Sequence, residues 1–435
     1  MKRSMLTLLS VFFIAFSSMA QKVEFEEYDL DNGMHVILHQ DNSAPVVITS
    51  VYYHVGAKDE QPDRTGMAHF FEHLLFEGTK NIGEGEWFKI VSSNGGNNNA
   101  TTDDDRTYYY EVFPSNKVEL GLWMESERML NAKITQAGVD NQREVVKEEK
   151  RTSDNRPYSS WYMEISKRMF KGTNYEWTPI GSFEDLNAAS IADFQNFYDT
   201  YYVPNNATLV ITGDIDEKTA RKYIKKYFSG IPKGSNAINR PKVSDALLTQ
   251  SIIDTVYDNI QLDAVFQAYK VPAQGTKDAY ALEMLSTILS NGKSSRLNTA
   301  LKEDKQMALQ VAGFSMNFES AGFFATLGLP NQGYTVADIQ KGIVTEIEKL
   351  QNELISEEEF QKIKNISESN FVSSNSSMKG IAESLATYHV MFGDAELINT
   401  ELEKYRAVTR EDIQRVAKKY LVQSNSVTLY YLPKK

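Results

Sequence analysis

The sequence contains no cysteine among its 435 residues. Without cysteine the chain has no disulfide framework, no thiolate metal site and no cysteine nucleophile. Any metal site must therefore be built from histidine and carboxylate side chains. The chain has 6 histidines, so two of them at metal-binding spacing form a pattern that chance seldom produces.

Basic residues are also in short supply. Lys and Arg number 46 against 58 Asp and Glu, which gives a formal charge of −12. This balance, with no basic block to offset it, argues against nucleic acid as a partner. The remaining composition, 41% hydrophobic and 24% charged, is typical of a soluble globular protein. The length is too great for one ordinary core and predicts two large domains or more.

Long apolar runs are missing except at the N-terminus. Lys2 and Arg3 precede a largely apolar stretch over residues 5–16, and residues 18–20 read SMA, a pattern typical of a cleavage site. This order predicts a secretory signal peptide over residues 1–20. The alternative, an N-terminal membrane anchor, is disfavoured because the apolar run is shorter than the ~20 residues that span a bilayer. We therefore expect an exported, periplasmic protein whose mature chain has no membrane span.

Residues 66–78 read GMAHFFEHLLFEG and contain an H-x-x-E-H pattern. On a helix, His69 and His73 share one face, and Glu72 borders it. Two neutral imidazoles at this spacing can hold zinc at ~2.0–2.1 Å and leave positions for a third ligand and a water. A carboxylate beside the metal can take a proton from that water, as in metal-assisted hydrolysis. The alternative is a half-buried helix whose histidines only form hydrogen bonds.

The flanking residues predict the limits of this helix. Asp63 or Thr65 can cap its start, and Gly78 can end it. Its apolar face is supplied by Phe70, Phe71, Leu74 and Leu75.

Several stretches predict β-strands. A turn at residues 31–33 separates two runs in EEYDLDNGMHVILHQ, and a turn near residues 103–105 separates two more in NNNATTDDDRTYYYEVF. Residues 46–55 form a longer run of β-formers that we expect to be buried. His35 and His39 lack a histidine partner at metal-binding spacing, so we expect ordinary surface residues there. For His54 we expect a structural role.

A second helix is predicted from about residue 139 to 152 in the segment containing NQREVVKEEKR. Its predicted buried stripe runs at spacings of three and four through Val139, Gln142, Val145, Val146 and Glu149. A carboxylate on such a stripe is costly unless it is paired or bound to a metal. Glu148 falls on the polar face instead, so Glu149 is the better candidate for a third metal ligand. The alternative is a solvated run of charge.

Two distant segments share one plan of helix, turn and strand. Residues 190–213 and 409–432 match at one offset of 219 positions, with identities at Asp193 and Asp412, Gln195 and Gln414, Tyr201 and Tyr420, and Asn206 and Asn425. This register predicts two copies of one α+β domain, over residues 22–235 and 245–435. The linker between them is rich in Gly, Pro, Asn and Ser. Because the second copy contains one histidine, it cannot repeat the metal site.

In these motifs the chain resembles the pitrilysin/insulinase-type zinc peptidases, which carry the inverted H-x-x-E-H motif. The segments LDNGMHVIL, GMAHFFEHLLFEGTKN, NNNATTDDDRTYYY, QREVVKEEK and YYVPNNATLVITGD stand in that family's order. The chain is similar to the short, two-domain forms related to mitochondrial processing peptidase. The resemblance implies two homologous α/β-sandwich domains, each an antiparallel-rich sheet with helices packed on it.

The resemblance also implies the roles of individual residues. His69, His73 and Glu149 correspond to the ligands of one zinc ion per chain, and Glu72 corresponds to the general base. The segment from Asn98 through Asn99 and Ala100 to Thr101 matches the edge strand to which such enzymes add a peptide substrate. Gln142 stands where the family often has another glutamate, a difference expected to affect tuning more than metal binding.

A second departure lies in the segment LKEDKQMALQV. Family members carry there an arginine and a tyrosine that hold the substrate and its developing oxyanion, but this chain has Lys302 and Leu309. Leucine has no donor, and one such contact can be worth ~10²–10³ in rate. Some bacterial members divide the two functions between two chains.

The sequence therefore predicts an exported zinc endopeptidase, a dimer in which a homologous chain supplies the missing pair. The alternative is a non-catalytic or partner-dependent core subunit of a processing-peptidase-like heterodimer. Zinc retained for structure alone is a third option. Glu72 argues against it, because a structural site has no need of a base.

Overall fold

The computed structural model describes residues 22–434, so the predicted signal peptide lies outside the described residues. The elements of the first half are β1 (Glu26–Asp29), β2 (His35–Gln40), β3 (Val46–Tyr53), α1 (Met67–Leu74), α2 (Trp87–Ser93), β4 (Asn97–Thr102), β5 (Thr107–Pro114), α3 (Val118–Asn131), α4 (Gln136–Asp154), α5 (Trp161–Met169), α6 (Phe183–Ala188), α7 (Ile191–Tyr201), β6 (Ala207–Gly213) and α8 (Glu217–Tyr227).

The second half continues with fewer strands and longer helices. They are β7 (Ile252–Asp258), β8 (Ala264–Pro272), α9 (Lys277–Ser290), β9 (Ala308–Asn317), β10 (Ala321–Pro330), α10 (Val336–Asn352), α11 (Glu357–Ser374), α12 (Met378–Phe392), α13 (Leu397–Arg406), α14 (Arg410–Tyr420) and β11 (Ser426–Pro433). Across residues 22–434, no helix combines the length and the apolar character needed to cross a bilayer.

The two halves each contain one sheet, and the sheets share a strand order. The first runs β1-β2-β6-β3-β5-β4 and the second β7-β11-β8-β10-β9. Without β1 the two orders correspond strand by strand. In both, one pair near the same edge is parallel (β2 with β6, β7 with β11) and the other pairs are antiparallel. These sheets with helices packed on them confirm the predicted fold class. The limits 22–235 and 245–435 remain predictions.

The matched asparagines show why the repeated segments fold alike. The side-chain amide nitrogen of Asn206 donates to the carbonyl oxygen of Tyr201 at 2.8 Å, and that of Asn425 donates to Tyr420 at 2.8 Å. Asn206 also donates to the carbonyl of His54, next to the end of β3, and Asn425 donates to that of Lys270 in β8. The same side chain therefore joins helix end, turn and sheet in both halves, and satisfies backbone acceptors that would otherwise be buried unpaired.

Each sheet is covered on one face by a helix from the other half of the chain. Ile165 and Met169 of α5 pack with residues of β8, β10 and β11. In return, Ile381 and Leu385 of α12 pack with residues of β2, β3, β5 and β6. The packing units therefore differ from two consecutive stretches of sequence, and burial of either sheet depends on both halves.

A buried group of charges joins the halves at the β9–β10 turn. Glu319 contacts Lys58, its carboxylate lies 2.9 Å from His54 Nε2, and its backbone N–H donates to Asp105 at 2.8 Å. Lys58 also pairs with Asp105 at 2.9 Å. The structural role predicted for His54 is thus confirmed. These neighbours lower the pKa of Glu319 to about 2 against the opposing effect of burial, so it is ionised at neutral pH.

Candidate metal centre

Helix α1 places the H-x-x-E-H motif at the border of a core. Met67, Ala68, Phe70, Phe71 and Leu74 are buried, while the histidines and Glu72 are less covered. Phe71 stacks on Phe197 of α7 at a ring distance of 5.5 Å. Its carbonyl accepts a hydrogen bond from the hydroxyl of Tyr109 at 2.9 Å. The apolar face therefore fixes the rotation of the helix, and hence the direction of its polar residues.

The N-terminus of α1 is bound by a residue that the sequence pattern did not indicate. The carboxylate of Glu60 accepts hydrogen bonds from the backbone N–H groups of Gly66 at 2.9 Å and Ala68 at 2.8 Å. The predicted caps are wrong, because Gly66 occupies the cap position with φ of 91° and the hydroxyl of Thr65 binds Asp185 instead. The predicted end at Gly78 is also wrong, since the helix stops at Leu74.

We expect Glu60→Ala to destabilise the protein by about 1–3 kcal/mol, because two buried N–H groups lose their acceptor. The free energy of unfolding from urea denaturation measures the loss. Asp63→Ala is the matched control, since the Asp63 side chain is exposed and the helix does not use it as a cap. An equal effect of the two substitutions would show that Glu60 does not anchor the helix.

The C-terminal end of α1 is held by a buried arginine. Arg128 is 0% exposed and donates to the carbonyl of Leu75 at 3.2 Å. It pairs with Glu111 at 3.0 Å and Glu125 at 3.1 Å. Its guanidinium also lies 4.1–4.5 Å from the ring centres of three aromatic residues, Trp87, Tyr109 and Phe76. A carboxylate at the N-terminus and a cation at the C-terminus both interact favourably with the helix dipole.

Helix α4 brings Glu149 to the motif. Val139 and Val146 are fully buried, as the predicted stripe requires, but Val145 is 44% exposed, so its assignment to that stripe is wrong. The reason is angular, since Val145 lies about 100° from Val146 around the helix. The buried position predicted for Glu149 on this stripe is also wrong, because its side chain is 49% exposed. Glu148 is on the polar face, paired with Arg151 at 3.1 Å.

The three predicted ligand atoms converge. Glu149 Oε2 lies 3.6 Å from His69 Nε2 and 3.4 Å from His73 Nε2, and the two imidazole rings are nearly perpendicular at 83°. Tetrahedral zinc at ~2.0–2.1 Å from each ligand atom places those atoms roughly 3.4 Å apart. The separations from Glu149 Oε2 match that requirement. The donor set of two imidazoles and one carboxylate therefore fits zinc and leaves a position for water.

The protonation states also suit a cation. Burial, followed by the neighbouring His73, lowers the pKa of His69, which favours the neutral imidazole that a metal needs. The hydrogen bond from His73 lowers the pKa of Glu149. Acid that protonates these groups removes the lone pairs that a metal would use.

Glu72 lies one turn from His69 and next to His73. Within residues 22–434 its carboxylate forms no ion pair, so its oxygens are available to a proton donor. Gln142 donates to Glu77, three residues beyond α1, so it ties α4 to this segment and does not bond the three converging residues.

A cavity of about 280 Å³ opens beside the candidate ligands. His69 and Glu149 line one side, and the other walls come from the end of β4, the α4–α5 connection, α5 and residues 178–180. Thr102 and Tyr162 belong to this lining and were missed by the sequence reasoning. The sequence shows only that Tyr162 follows the helix that carries Glu149, and this order does not reveal its position in space.

Strand β4 forms the edge of the first sheet next to the cavity. Ala100 is buried, Asn98 is half-buried, and Asn99 and Thr101 are exposed. One side of the strand pairs with β5, and the order of the described strands leaves its other side without a neighbour. An extended peptide can add to such an edge through main-chain hydrogen bonds.

Lys302 and Leu309, the two residues that differ from the family pattern, lie away from the candidate metal centre. Lys302 is exposed in a π-helical turn over Asn298–Asp304, and Leu309 is 44% exposed on β9. Neither lines the cavity beside His69 and Glu149. This part of the chain therefore contributes no hydrogen-bond donor there.

A second group of possible ligands has a different geometry. Glu27, His35 and His389 also approach one another, and the two imidazole rings are stacked 3.5 Å apart at an angle of 3°. Lone pairs of parallel rings lie in separate planes, so they cannot meet at one ion. The prediction of ordinary surface positions for His35 and His39 is wrong, because α12 packs beside the former and the latter is 8% exposed.

Two models of known families match the chain. The family model described as Insulinase (Peptidase family M16) matches residues 35–180, which include His69, Glu72, His73 and Glu149. The model described as Peptidase M16 inactive domain matches residues 188–367. Together these matches extend over both halves.

Curated relatives carry related descriptions. The zinc protease PqqE of Helicobacter pylori is 29% identical over 412 residues, covering 94% of this chain and 93% of that protein. The probable mitochondrial-processing peptidase subunit beta of Arabidopsis thaliana is 21% identical, covering 90% of this chain and 75% of its own length.

Solved structures share the fold. A protease from Helicobacter pylori is 30% identical with a TM-score of 0.89, covering 94% of this chain and 100% of that one. The periplasmic protease PqqL from Escherichia coli superposes with a TM-score of 0.78 at 19% identity. There the match covers 95% of this chain but 48% of the longer neighbour.

Proposed function

Because the chain belongs to the insulinase (peptidase M16) family, we propose that it is an exported zinc metalloendopeptidase acting on peptides or small unfolded proteins. The observation that carries the proposal is the convergence of His69, His73 and Glu149 beside the unpaired carboxylate of Glu72. In this proposal the three converging residues are the zinc ligands and Glu72 is the general base.

Each side chain has a definite task in hydrolysis. Zinc held by the three ligands would act as a Lewis acid and lower the pKa of water. Glu72 takes the proton from the attacking water and returns it to the leaving amine, which needs a proton to depart. Glu60 and Arg128 are buried and do not line the cavity beside His69 and Glu149; they hold the backbone of α1 and thereby position the motif.

The edge of β4 supports peptides as the substrate class. Asn98, Asn99, Ala100 and Thr101 offer main-chain groups to an extended strand, and this mode of binding tolerates varied side chains. Because the substrate must be extended to pair with the edge, unfolded segments are favoured over folded domains. Gln142 acts indirectly, through the segment after α1.

An exported location is part of the proposal. It rests on the signal-peptide pattern in residues 1–20 and on the fold shared with a neighbour titled a periplasmic protease. The periplasm is the compartment that these two observations favour.

A dependence on a partner chain is the second candidate. Lys302 and Leu309 replace the arginine and tyrosine, and their side chains lie outside the metal cavity. The likeness to a processing-peptidase beta subunit supports a dimer whose homologous partner supplies that pair. In this case the chain alone binds zinc but cleaves slowly.

The experiment is cleavage of a quenched fluorescent peptide library by the mature chain, with zinc quantified in the same sample. We expect about one zinc per chain and cleavage that a chelator abolishes and zinc restores. Glu149→Ala should weaken zinc binding by more than ~100-fold, since even residues behind metal ligands are worth 10–100-fold. Glu148→Ala is the matched control on the same helix.

The outcomes separate the candidates. Zinc with robust cleavage by the chain alone supports a self-sufficient enzyme and overturns the partner hypothesis. Zinc with almost no cleavage supports dependence on a partner. Unchanged zinc affinity in Glu149→Ala would overturn the ligand assignment.

A further inference from the structure

A second cavity of about 470 Å³ adjoins the one beside the metal ligands. The two share Thr102, Tyr162 and Pro179, so a peptide that passes the end of β4 can reach both. The second cavity is built from both halves, with the β4–β5 turn on one side and the end of β9 and helix α12 on the other. Under the proposed function, a peptide bound along β4 would therefore pass this second cavity.

Three consecutive acids line this cavity, and two of them are neutralised. Asp103 pairs with Arg106 at 3.1 Å and accepts hydrogen bonds from backbone N–H groups of its own turn. Asp105 pairs with Lys58 at 2.9 Å and accepts from the hydroxyl of Tyr175 at 2.6 Å. These two carboxylates therefore serve the turn and the contact between the halves.

Asp104 differs from both. It is 4% exposed, and its Oδ2 accepts one hydrogen bond from the hydroxyl of Tyr162 at 2.6 Å. Its Oδ1 is buried without a hydrogen-bond partner, and among the described residues no cation pairs with Asp104. A buried carboxyl oxygen without a donor is costly, so it requires an explanation.

The cation that lines the cavity is already engaged. Arg106 pairs with Asp103 and with Glu383 at 3.3 Å, and it donates to the carbonyl of Thr101 at 3.0 Å. Two carboxylates thus neutralise its one charge. An entering cation meets Asp104 without a free arginine beside it.

Two further residues that line the same cavity carry unpaired polar atoms. The hydroxyl of Thr102 is buried without a partner and can accept a hydrogen bond from a cationic group. The amide nitrogen of Asn317 is likewise unpaired and can donate to a main-chain carbonyl. These groups suit a peptide residue that carries donors at the end of its side chain.

We propose that this second cavity is a subsite for a basic side chain, arginine or lysine, of the peptide substrate. The proposal rests on the proposed function, since it assigns the neighbouring cleft to a peptide. Asp104 is then a specificity-determining residue, and Thr102 Oγ1 is a second acceptor. The chain's formal charge of −12 additionally favours the approach of cationic peptides.

The protonation of Asp104 gives the subsite a pH dependence. Burial raises the pKa of Asp104 to about 8, so near pH 7 the carboxyl group is mainly neutral in the free protein. A cationic side chain favours the carboxylate and lowers that pKa. The preference for a basic residue should therefore strengthen as pH rises from 6 to 9.

The test compares arginine with citrulline, its neutral isostere, at each position along a set of otherwise identical quenched peptides. At one position kcat/KM should favour arginine by about tenfold or more, because a charge-assisted hydrogen bond exceeds a neutral one. Peptides with free and acetylated N-termini are compared in parallel, since an α-ammonium group has the same chemistry. Preference for the free terminus alone would overturn the side-chain assignment.

Asp104→Asn should reduce the arginine-to-citrulline ratio to about one at that position. Glu358→Gln, an exposed acid on α11, is the control for the loss of one negative charge. Binding of the same peptides to Glu72→Gln, followed by fluorescence anisotropy, tests the subsite without cleavage and so separates its failure from that of the proposed function. No arginine preference at any position, or one that survives in Asp104→Asn, would overturn the proposal.

Discussion

Glu72→Gln is expected to retain zinc and to lower kcat by about 10³–10⁴, the upper part of the range for general acid–base catalysis. Glutamine has nearly the shape of glutamate but cannot take a proton from water. The proposed ligands His69, His73 and Glu149 are unchanged, so metal content should remain near one zinc per chain. Because the proton transfer belongs to the transition state, kcat should fall while KM changes little.

Zinc content and steady-state kinetics measured on the same preparation provide the test. Glu148→Gln removes a carboxylate from the exposed face of α4 and should leave both quantities near the wild-type values. Cleavage by Glu72→Gln within tenfold of wild type would assign the base elsewhere. A parallel loss of zinc would instead show that Glu72 supports the metal site structurally.

The chemistry of the site was more predictable from sequence than the way it is held in place. His69, Glu72 and His73 lie within five consecutive residues, so helical geometry alone brings them together. Glu149 lies 76 positions beyond His73, yet the structure places its carboxylate 3.4 Å from that ring. The family's spacing indicated it, and so did its predicted place on an apolar stripe, although the structure shows its side chain to be 49% exposed.

The contacts at the two ends of α1 show why the residues that hold this helix could not be predicted. Local patterns favoured Asp63 or Thr65 as the cap, because capping residues usually lie next to the first turn. Glu60 lies six residues before Gly66, and only the path of the intervening loop turns its carboxylate toward the helix. Arg128 reaches Leu75 from another helix, 53 residues away. Contacts of this kind depend on tertiary packing, which no short pattern records.

In the fold, too, some features could be predicted from the sequence and others could not. The offset of 219 residues predicted two copies of one plan, and the sheets have matching strand orders. The exchange of α5 and α12 between the halves left no comparable signal, since an amphipathic helix shows that it has a partner but not which one. The cavity around Asp104 arises from that exchange, because α5 and α12 both contribute to its walls.

Arg128→Met is expected to destabilise the protein by about 3–5 kcal/mol, the usual cost of breaking a buried ion pair by removing one partner. Glu111 and Glu125 are 0% exposed and would remain without their cation. Burial and then Glu125 already raise the pKa of Glu111 well above its usual range, with Arg128 opposing the shift. Loss of the arginine removes its lowering effect on the pKa of Glu111, so this pKa rises further.

The sign of the pH dependence follows from this shift. A carboxyl group whose pKa is higher in the folded than in the unfolded protein stabilises the fold when protonated, and the benefit is lost as pH rises. The variant should therefore lose more stability, relative to wild type, at pH 8 than at pH 5. Thermal unfolding of both proteins across this range measures the difference.

Two comparisons make the test specific. Arg221→Met removes an exposed arginine that pairs with Glu26 and should cost no more than about 1 kcal/mol. The triple substitution of Arg128, Glu111 and Glu125 by Met, Leu and Leu removes all three charges and should recover much of the lost stability. If Arg128→Met were as stable as wild type, or equally destabilised at both pH values, the three charges would not form a coupled anchor. The short helix that carries His69, Glu72 and His73 would then depend on its apolar face and on the contacts of Glu60 at its N-terminus.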